Sequence, residues 1–154
     1  MQSKKNKPLP SDFEGPYDSP GFLLWRVSNA WQREQRHALQ RVGLTHTQFV
    51  ALAVASWFQH DEPLTQAKLS QLTGSDPMTI SQVVRTLEKA GHFKRIAHPH
   101  DIRARVIEVT ATGRELAATA IRVVEETDSN FFEPLGNSDE IPALMDLFKK
   151  LLRQ

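Results

Sequence analysis

Between Gly74 and Pro77 the chain has room for a turn of only two or three residues, and the sequence on both sides of it reads as helix. Upstream, residues 65–72 carry Leu69 and Leu72 at the i, i+3 spacing of one helical face, and Gly74 stops them. Downstream, Asp76-Pro77 reads as an N-cap with proline in the first turn. The second helix then extends to Ala90-Gly91. Ile80, Val83 or Val84, Leu87 and Ala90 form its apolar stripe, and Thr79, Gln82, Arg85, Thr86 and Lys89 take the other side.

Beyond Gly91 the period changes. Residues 93–97 and 105–109 are short β-like pieces separated by His98-Pro99-His100-Asp101, a hairpin with a polar tip. Helix, tight turn, helix and two-stranded hairpin is the outline of a winged helix-turn-helix. Further helices flank it. Ser19-Pro20 opens a helix over about 22–42 that Gly43 ends, and Thr45 with Gln48 forms a capping box before the apolar run 49–58, which reads as the most buried helix. Thr112 with Glu115 suggests another capping box, opening a long helix to about residue 130. Ile141, Leu144, Met145, Phe148, Leu151 and Leu152 space out a last amphipathic one. The expected fold is mainly α with a small β-hairpin wing. Residues 1–18 read as a flexible arm and 44–110 as the winged helix-turn-helix lobe, with helices over 19–43 and 111–154 on either side of it.

Composition narrows the chemistry. At 154 residues the chain suits one domain with helical additions, and zero cysteines exclude disulfides, thiolate metal sites and thiol nucleophiles. Lys4, Lys5 and Lys7 are followed by Pro8, Pro10, Asp12 and Glu14 instead of an apolar stretch, so no export signal is read and a cytoplasmic location is expected. The net charge of +1 is too small for a chain that coats nucleic acid or an anionic membrane. It is unevenly distributed, however: residues 79–109 hold six basic and three acidic side chains, residues 110–154 five and eight.

The basic segment is the candidate reading head. A major groove about 12 Å wide admits one helix, and Thr79, Gln82, Arg85 and Thr86 are types that meet base edges: Gln pairs with adenine, Arg with guanine, and Thr offers its methyl to thymine or its hydroxyl to phosphate. A solvated helix face explains the same pattern when taken alone. The hairpin adds weight, because Lys94, Arg95, Arg103 and Arg105 cluster there. Arg103 suits a narrow minor groove with Asp101 holding it extended, and Lys94, Arg95 and Arg105 suit phosphates. The bland reading of Asp101 and Arg103 is a turn-stabilising surface ion pair.

Asp101-Ile-Arg103, followed by Val106, Val109-Thr110 and Gly113, resembles the wing signature of the MarR family of bacterial transcriptional regulators. Leu64-Thr-Gln-Ala-Lys-Leu-Ser-Gln-Leu-Thr-Gly, Thr79-Ile-Ser and Leu87-Glu-Lys-Ala-Gly91 resemble that family's helix-turn-helix. Gly43-Leu44-Thr45 and Gln48-Phe49 match its entry to the second helix. The resemblance spans about residues 20–153. It departs at Ile102, where many relatives carry a second arginine, at Gln82, where a basic residue is common, and at His98, where aspartate is common.

The resemblance implies a homodimer, joined by N-terminal (19–43) and C-terminal (111–154) dimerisation helices, whose DNA-binding lobe (44–110) binds double-stranded DNA at a palindromic operator, most often a repressor released by a small anionic or phenolic effector. Trp25, Arg26, Trp31, His46, Phe49 and Trp57 are candidates to line an effector site, with core packing as the ordinary explanation for each. His98, His100 and Asp101 with His92 nearby do not make a convincing metal site at a loose hairpin tip. No cofactor is expected, and no phosphate loop, nucleophile elbow or HExxH supports an enzyme. The rival is a winged-helix module that binds protein without sequence-specific DNA recognition.

Overall fold

Each helix start is written into a side chain. The computed structural model describes residues 8–136 and 139–153; the expected arm over 1–18 therefore lies partly outside the described residues, and its inner end is not free, since Pro16–Asp18 form a 3-10 turn whose Tyr17 ring meets Phe22 and Arg26 of the following helix. Helix α1 (Pro20–Gln40) begins where the Ser19 hydroxyl accepts the Phe22 N–H at 3.4 Å, and Pro20 occupies a position whose missing donor costs nothing. Helix α2 (His46–Phe58) opens on the full Thr45/Gln48 capping box, with bonds of 3.2 and 3.0 Å. Helix α3 (Gln66–Thr73) is capped by Thr65 and ends at Gly74, whose φ of 69° is left-handed. Helix α4 (Pro77–Lys89) starts at Asp76, whose carboxylate accepts the Thr79 N–H at 2.9 Å. Strands β1 (Phe93–Ala97) and β2 (Arg105–Val109) pair antiparallel, with Lys94 opposite Glu108 and Arg95 opposite Ile107. Helix α5 (Ala111–Phe132), a short 3-10 turn at Glu133–Leu135 and helix α6 (Glu140–Leu151) complete the order.

Two local expectations are corrected. The cap of α5 is Thr110, whose hydroxyl accepts the Gly113 N–H at 3.1 Å, and not Thr112. Strand β2 runs straight into the helix, so Thr110 is its last extended residue. Thr112 already lies inside α5 and donates its hydroxyl to the Gly91 carbonyl at 3.0 Å. Helix α2 is not buried on all sides either: Phe49, Ala51, Leu52 and Ala55 are buried, but Trp57 is 80% exposed. At about 100° per residue, Trp57 falls well away from the face that Leu52 presents to the core.

One core joins these elements. Leu39 of α1, Phe49 and Leu52 of α2, Leu69 of α3, Ile80 and Leu87 of α4, Phe93 and Ile107 of the hairpin and Ala120 of α5 belong to it. The wing is attached at its root. The Ile107 N–H donates to the Leu64 carbonyl at 2.7 Å and the Val109 N–H to Gln59 Oε1 at 3.1 Å, which satisfies the β2 edge turned away from β1. The Thr110 N–H donates to the His92 carbonyl at 3.0 Å, and the Thr110 hydroxyl to that of Gly91 at 2.6 Å. Gly113 packs against the same corner.

The ends of the chain are different. None of the residues of α6 is buried, and Ile141, Met145, Leu147, Phe148 and Leu151 are exposed on it. Leu23, Leu24, Trp25 and Val27 in the first half of α1 are exposed as well. So much apolar surface on two helices exceeds what a self-sufficient monomer ordinarily shows.

Candidate nucleic-acid interface

Helix α4 separates its two sides cleanly. Ile80, Val83, Val84 and Leu87 are buried, and Gln82, Arg85 and Thr86 are exposed with Thr79 half-buried. Their donors are not equally free. The Thr79 hydroxyl donates to Asp76 Oδ2, and the Thr86 hydroxyl donates back to the Gln82 carbonyl at 3.0 Å. Arg85 reaches Ser81 Oγ at 3.0 Å, along its own helix. What this face offers outward is therefore the amide of Gln82, the remaining donors of Arg85 and two threonine methyls. The Thr79 hydroxyl and then the Thr79 N–H hold the Asp76 carboxyl below its ordinary range, so the cap is ionised at neutral pH.

The wing resolves into paired and unpaired cations. Lys94 Nζ meets Glu108 Oε1 across the strands at 2.8 Å, and Arg95 Nε meets Glu88 Oε2 of α4 at 3.2 Å. The second pair ties the hairpin to α4. Among the described residues neither Arg103 nor Arg105 has an ion pair of this kind, and both are exposed.

Asp101 acts on backbone. Its Oδ1 accepts the Arg103 N–H at 2.9 Å and its carbonyl accepts the Ala104 N–H at 3.1 Å, so the carboxylate shapes the turn and does not pair with the Arg103 guanidinium as the sequence suggested. An aspartate two residues before its partner is well placed for such an Asx turn. His98 contributes in the same manner, its Nδ1 accepting the His100 N–H at 3.1 Å. The loop thereby presents Ile102, 95% exposed, beside Arg103. Met78, at the start of α4, is exposed too; Ile102 drew notice in the sequence only as a departure from the family pattern and Met78 not at all, although the preceding proline marked Met78 as lying on the first helical turn.

The six effector candidates do not converge. Trp31 and His46 do, with ring centroids 4.9 Å apart. Phe49 is in the core, Trp25 and Trp57 are exposed, and Arg26 turns to Tyr17, donating to its hydroxyl at 2.9 Å. Around Trp31 the structure adds two residues that sequence spacing had no means of showing. Asp128 Oδ1 accepts both Trp31 Nε1 and Gln35 Nε2, each at 2.7 Å, and Gln35 is fully buried with its Oε1 unpartnered. Burial holds the His46 imidazole below its ordinary range; Asp128 pulls the other way and Arg36 adds to the lowering. Beside this cluster, a cleft of about 590 Å³ between α1 and α5 is lined by Glu34, His37, Arg41, Thr127, Asn130 and Phe131. Among the described residues no helix is long and apolar enough to cross a membrane, and no group of three or more His, Asp or Glu is arranged to hold a metal.

Residues 44–104 match the MarR family model. The chain is 42% identical to the HTH-type transcriptional regulator YdcH of Bacillus subtilis, over 90% of this chain and 96% of that one. It is 35% identical to the HTH-type transcriptional repressor Rv2887 of Mycobacterium tuberculosis, over 73% and 79% of the two chains. A crystal structure of Rv2887 with salicylic acid superposes with a TM-score of 0.67 at 30% identity, covering 86% of this chain and 96% of that one. A MarR-family regulator from Rhodococcus sp. RHA1 superposes with a TM-score of 0.80 at 26% identity, covering 90% and 96%. With two helices joined by a tight turn, a braced wing and a relative 42% identical over 96% of its length, the chain belongs to the MarR family of winged helix-turn-helix transcriptional regulators.

Proposed function

We propose that this regulator is a cytoplasmic homodimeric repressor of a palindromic operator, released by a small anionic or phenolic ligand and without catalytic activity of its own. The observation that carries the reading is the juxtaposition of α4 with a wing whose tip keeps Arg103 and Arg105 outside internal ion pairs. Gln82 and Arg85 read base edges in the major groove, with Thr79 and Thr86 adding methyl contacts. Arg103, on a turn built by Asp101, enters the minor groove, and Arg105 meets phosphate. Lys94 and Arg95 act there as exposed pairs that fix the wing and exchange their carboxylate partners for phosphate on docking.

The division of labour follows the chain: 44–110 reads DNA, and 19–43 and 111–154 join two copies. The exposed apolar sides of α1 and α6 support the joining role. A two-fold dimer sets its reading helices about 34 Å apart, one DNA turn. For the effector, the solved complex of Rv2887 with salicylic acid supports the ligand class, and the cleft holding Arg41 offers a cation to a carboxylate. A ligand there releases DNA by binding the incompetent dimer more tightly than the competent one.

Selection of bound sequences from a random duplex pool tests the reading. A palindrome with half-sites about one turn apart is expected. Recovery of no preferred sequence, with binding insensitive to salt, would favour the protein-binding module instead.

A further inference from the structure

Ile102 is the most exposed large apolar side chain of the described residues, and it stands at the tip of the wing between Asp101 and Arg103. A single exposed isoleucine is ordinary on a protein surface. This one is held in place. The Asp101 carboxylate and carbonyl fix the backbone on either side of it, at 2.9 and 3.1 Å, so the tip is presented as a shaped turn. The wing has also consumed much of its own charge, since Lys94 is paired with Glu108 and Arg95 with Glu88. Next to Ile102, the charge left for the groove is that of Arg103 alone.

We infer that Ile102 is a specificity-determining contact of this regulator with DNA: its side chain packs against the deoxyribose walls of the minor groove beside Arg103. The inference rests on the reading that the wing meets that groove. Apolar side chains are compatible with the minor groove, where the sugars present carbon to them. A branched aliphatic chain gains most where the walls are close, as in A·T-rich segments, so it reads width where a second cation would read only charge. Affinity gained by removing apolar surface from water releases no counterions. It therefore contributes to binding without steepening its dependence on salt.

Fluorescence anisotropy on the selected operator, and on a version with G·C pairs under the wing, at three salt concentrations, tests this with Ile102→Ser, Ile102→Arg and Arg103→Ala. Both positions are exposed, and unchanged melting temperatures in all three variants verify the fold. Ile102→Ser is expected to weaken operator binding about tenfold, to lose the preference for A·T pairs under the wing and to keep the wild-type salt slope. Arg103→Ala flattens the slope. Ile102→Arg steepens it and raises binding to unrelated duplex. Wild-type affinity in Ile102→Ser, or a slope flattened as in Arg103→Ala, overturns the inference while leaving the DNA-binding reading intact. Failure of the wild-type protein to bind any duplex overturns both.

Discussion

The indole N–H of Trp31 donates to the Asp128 carboxylate at 2.7 Å, joining α1 to α5 across 97 positions of sequence. The same oxygen accepts from Gln35, which is fully buried. One carboxylate oxygen thus satisfies two donors from successive turns of α1. Asp128→Ala leaves both in a partly dry interface and is expected to cost about 2–3 kcal/mol, read as a lower denaturation midpoint in urea. Asp128→Asn keeps an acceptor and loses less. Wild-type stability in the alanine variant would show that the two donors are satisfied elsewhere.

His46 gives the fold a pH dependence of definite sign. Its imidazole is held below its ordinary range, by burial first, so the unfolded chain takes up a proton at higher pH than the folded one. Stability is fully present above the unfolded value, about 6.5, and is lost as pH falls through the lowered folded value. His46→Gln, which does not titrate, is expected to flatten melting temperature against pH across that acid limb. Asp128, which favours the protonated ring, opposes the effect, so Asp128→Asn steepens the loss. An unaltered profile in His46→Gln would place the dependence on another group.

At Gly113 the backbone of α5 touches the corner of the wing so closely that an added Cβ would overlap the His92 carbonyl oxygen and lie 2.9 Å from Val109 Cγ1. The obstruction is backbone, which a rotamer change cannot relieve. Gly113→Ala is expected to destabilise by about 1–3 kcal/mol and to loosen the wing, with faster amide exchange at Val109 and Thr110. Neither change would appear if the corner were free to open.

For the Asx turn at the wing tip, the substitution pair is Asp101→Ala and Asp101→Asn. Because the carboxylate bonds a backbone N–H at an exposed site, asparagine rebuilds the turn and alanine does not. The alanine variant is expected to bind operator about tenfold more weakly with its melting temperature within a degree or so of wild type. Asparagine should recover most of the affinity. Equal loss in both would mean that charge, not turn geometry, is what Asp101 supplies.

The readable parts of this molecule were the local ones. Asp76-Pro77, Thr45 with Gln48, Ser19-Pro20 and Gly74 each decide a helix boundary within four residues of themselves, so spacing alone exposed the helix-turn-helix and the ranges of both strands. Thr110 and Thr112 show where that logic stops: either can cap, and the choice depends on where β2 ends, which is set by pairing with β1. Lys94 and Arg95 looked like free phosphate ligands because their partners, Glu108 and Glu88, become neighbours only through strand register and helix packing. Asp128 was out of reach for the same reason, as a solvated-looking acid on a long helix whose partners lie on α1.

Helix α5 carries the wing root at Thr110 and the Trp31 anchor at Asp128, 18 residues apart and so about 27 Å along one stiff rod. It is a lever. A tilt of about 10° at the Asp128 end would carry the wing root about 5 Å, more than the 3.4 Å or so between neighbouring base pairs. Thr110 and Thr112 both hold the Gly91 carbonyl at the end of α4, which ties that helix to the wing root. A shift of α5 against α1 at Asp128 would therefore be passed to the wing and α4 together, as one body.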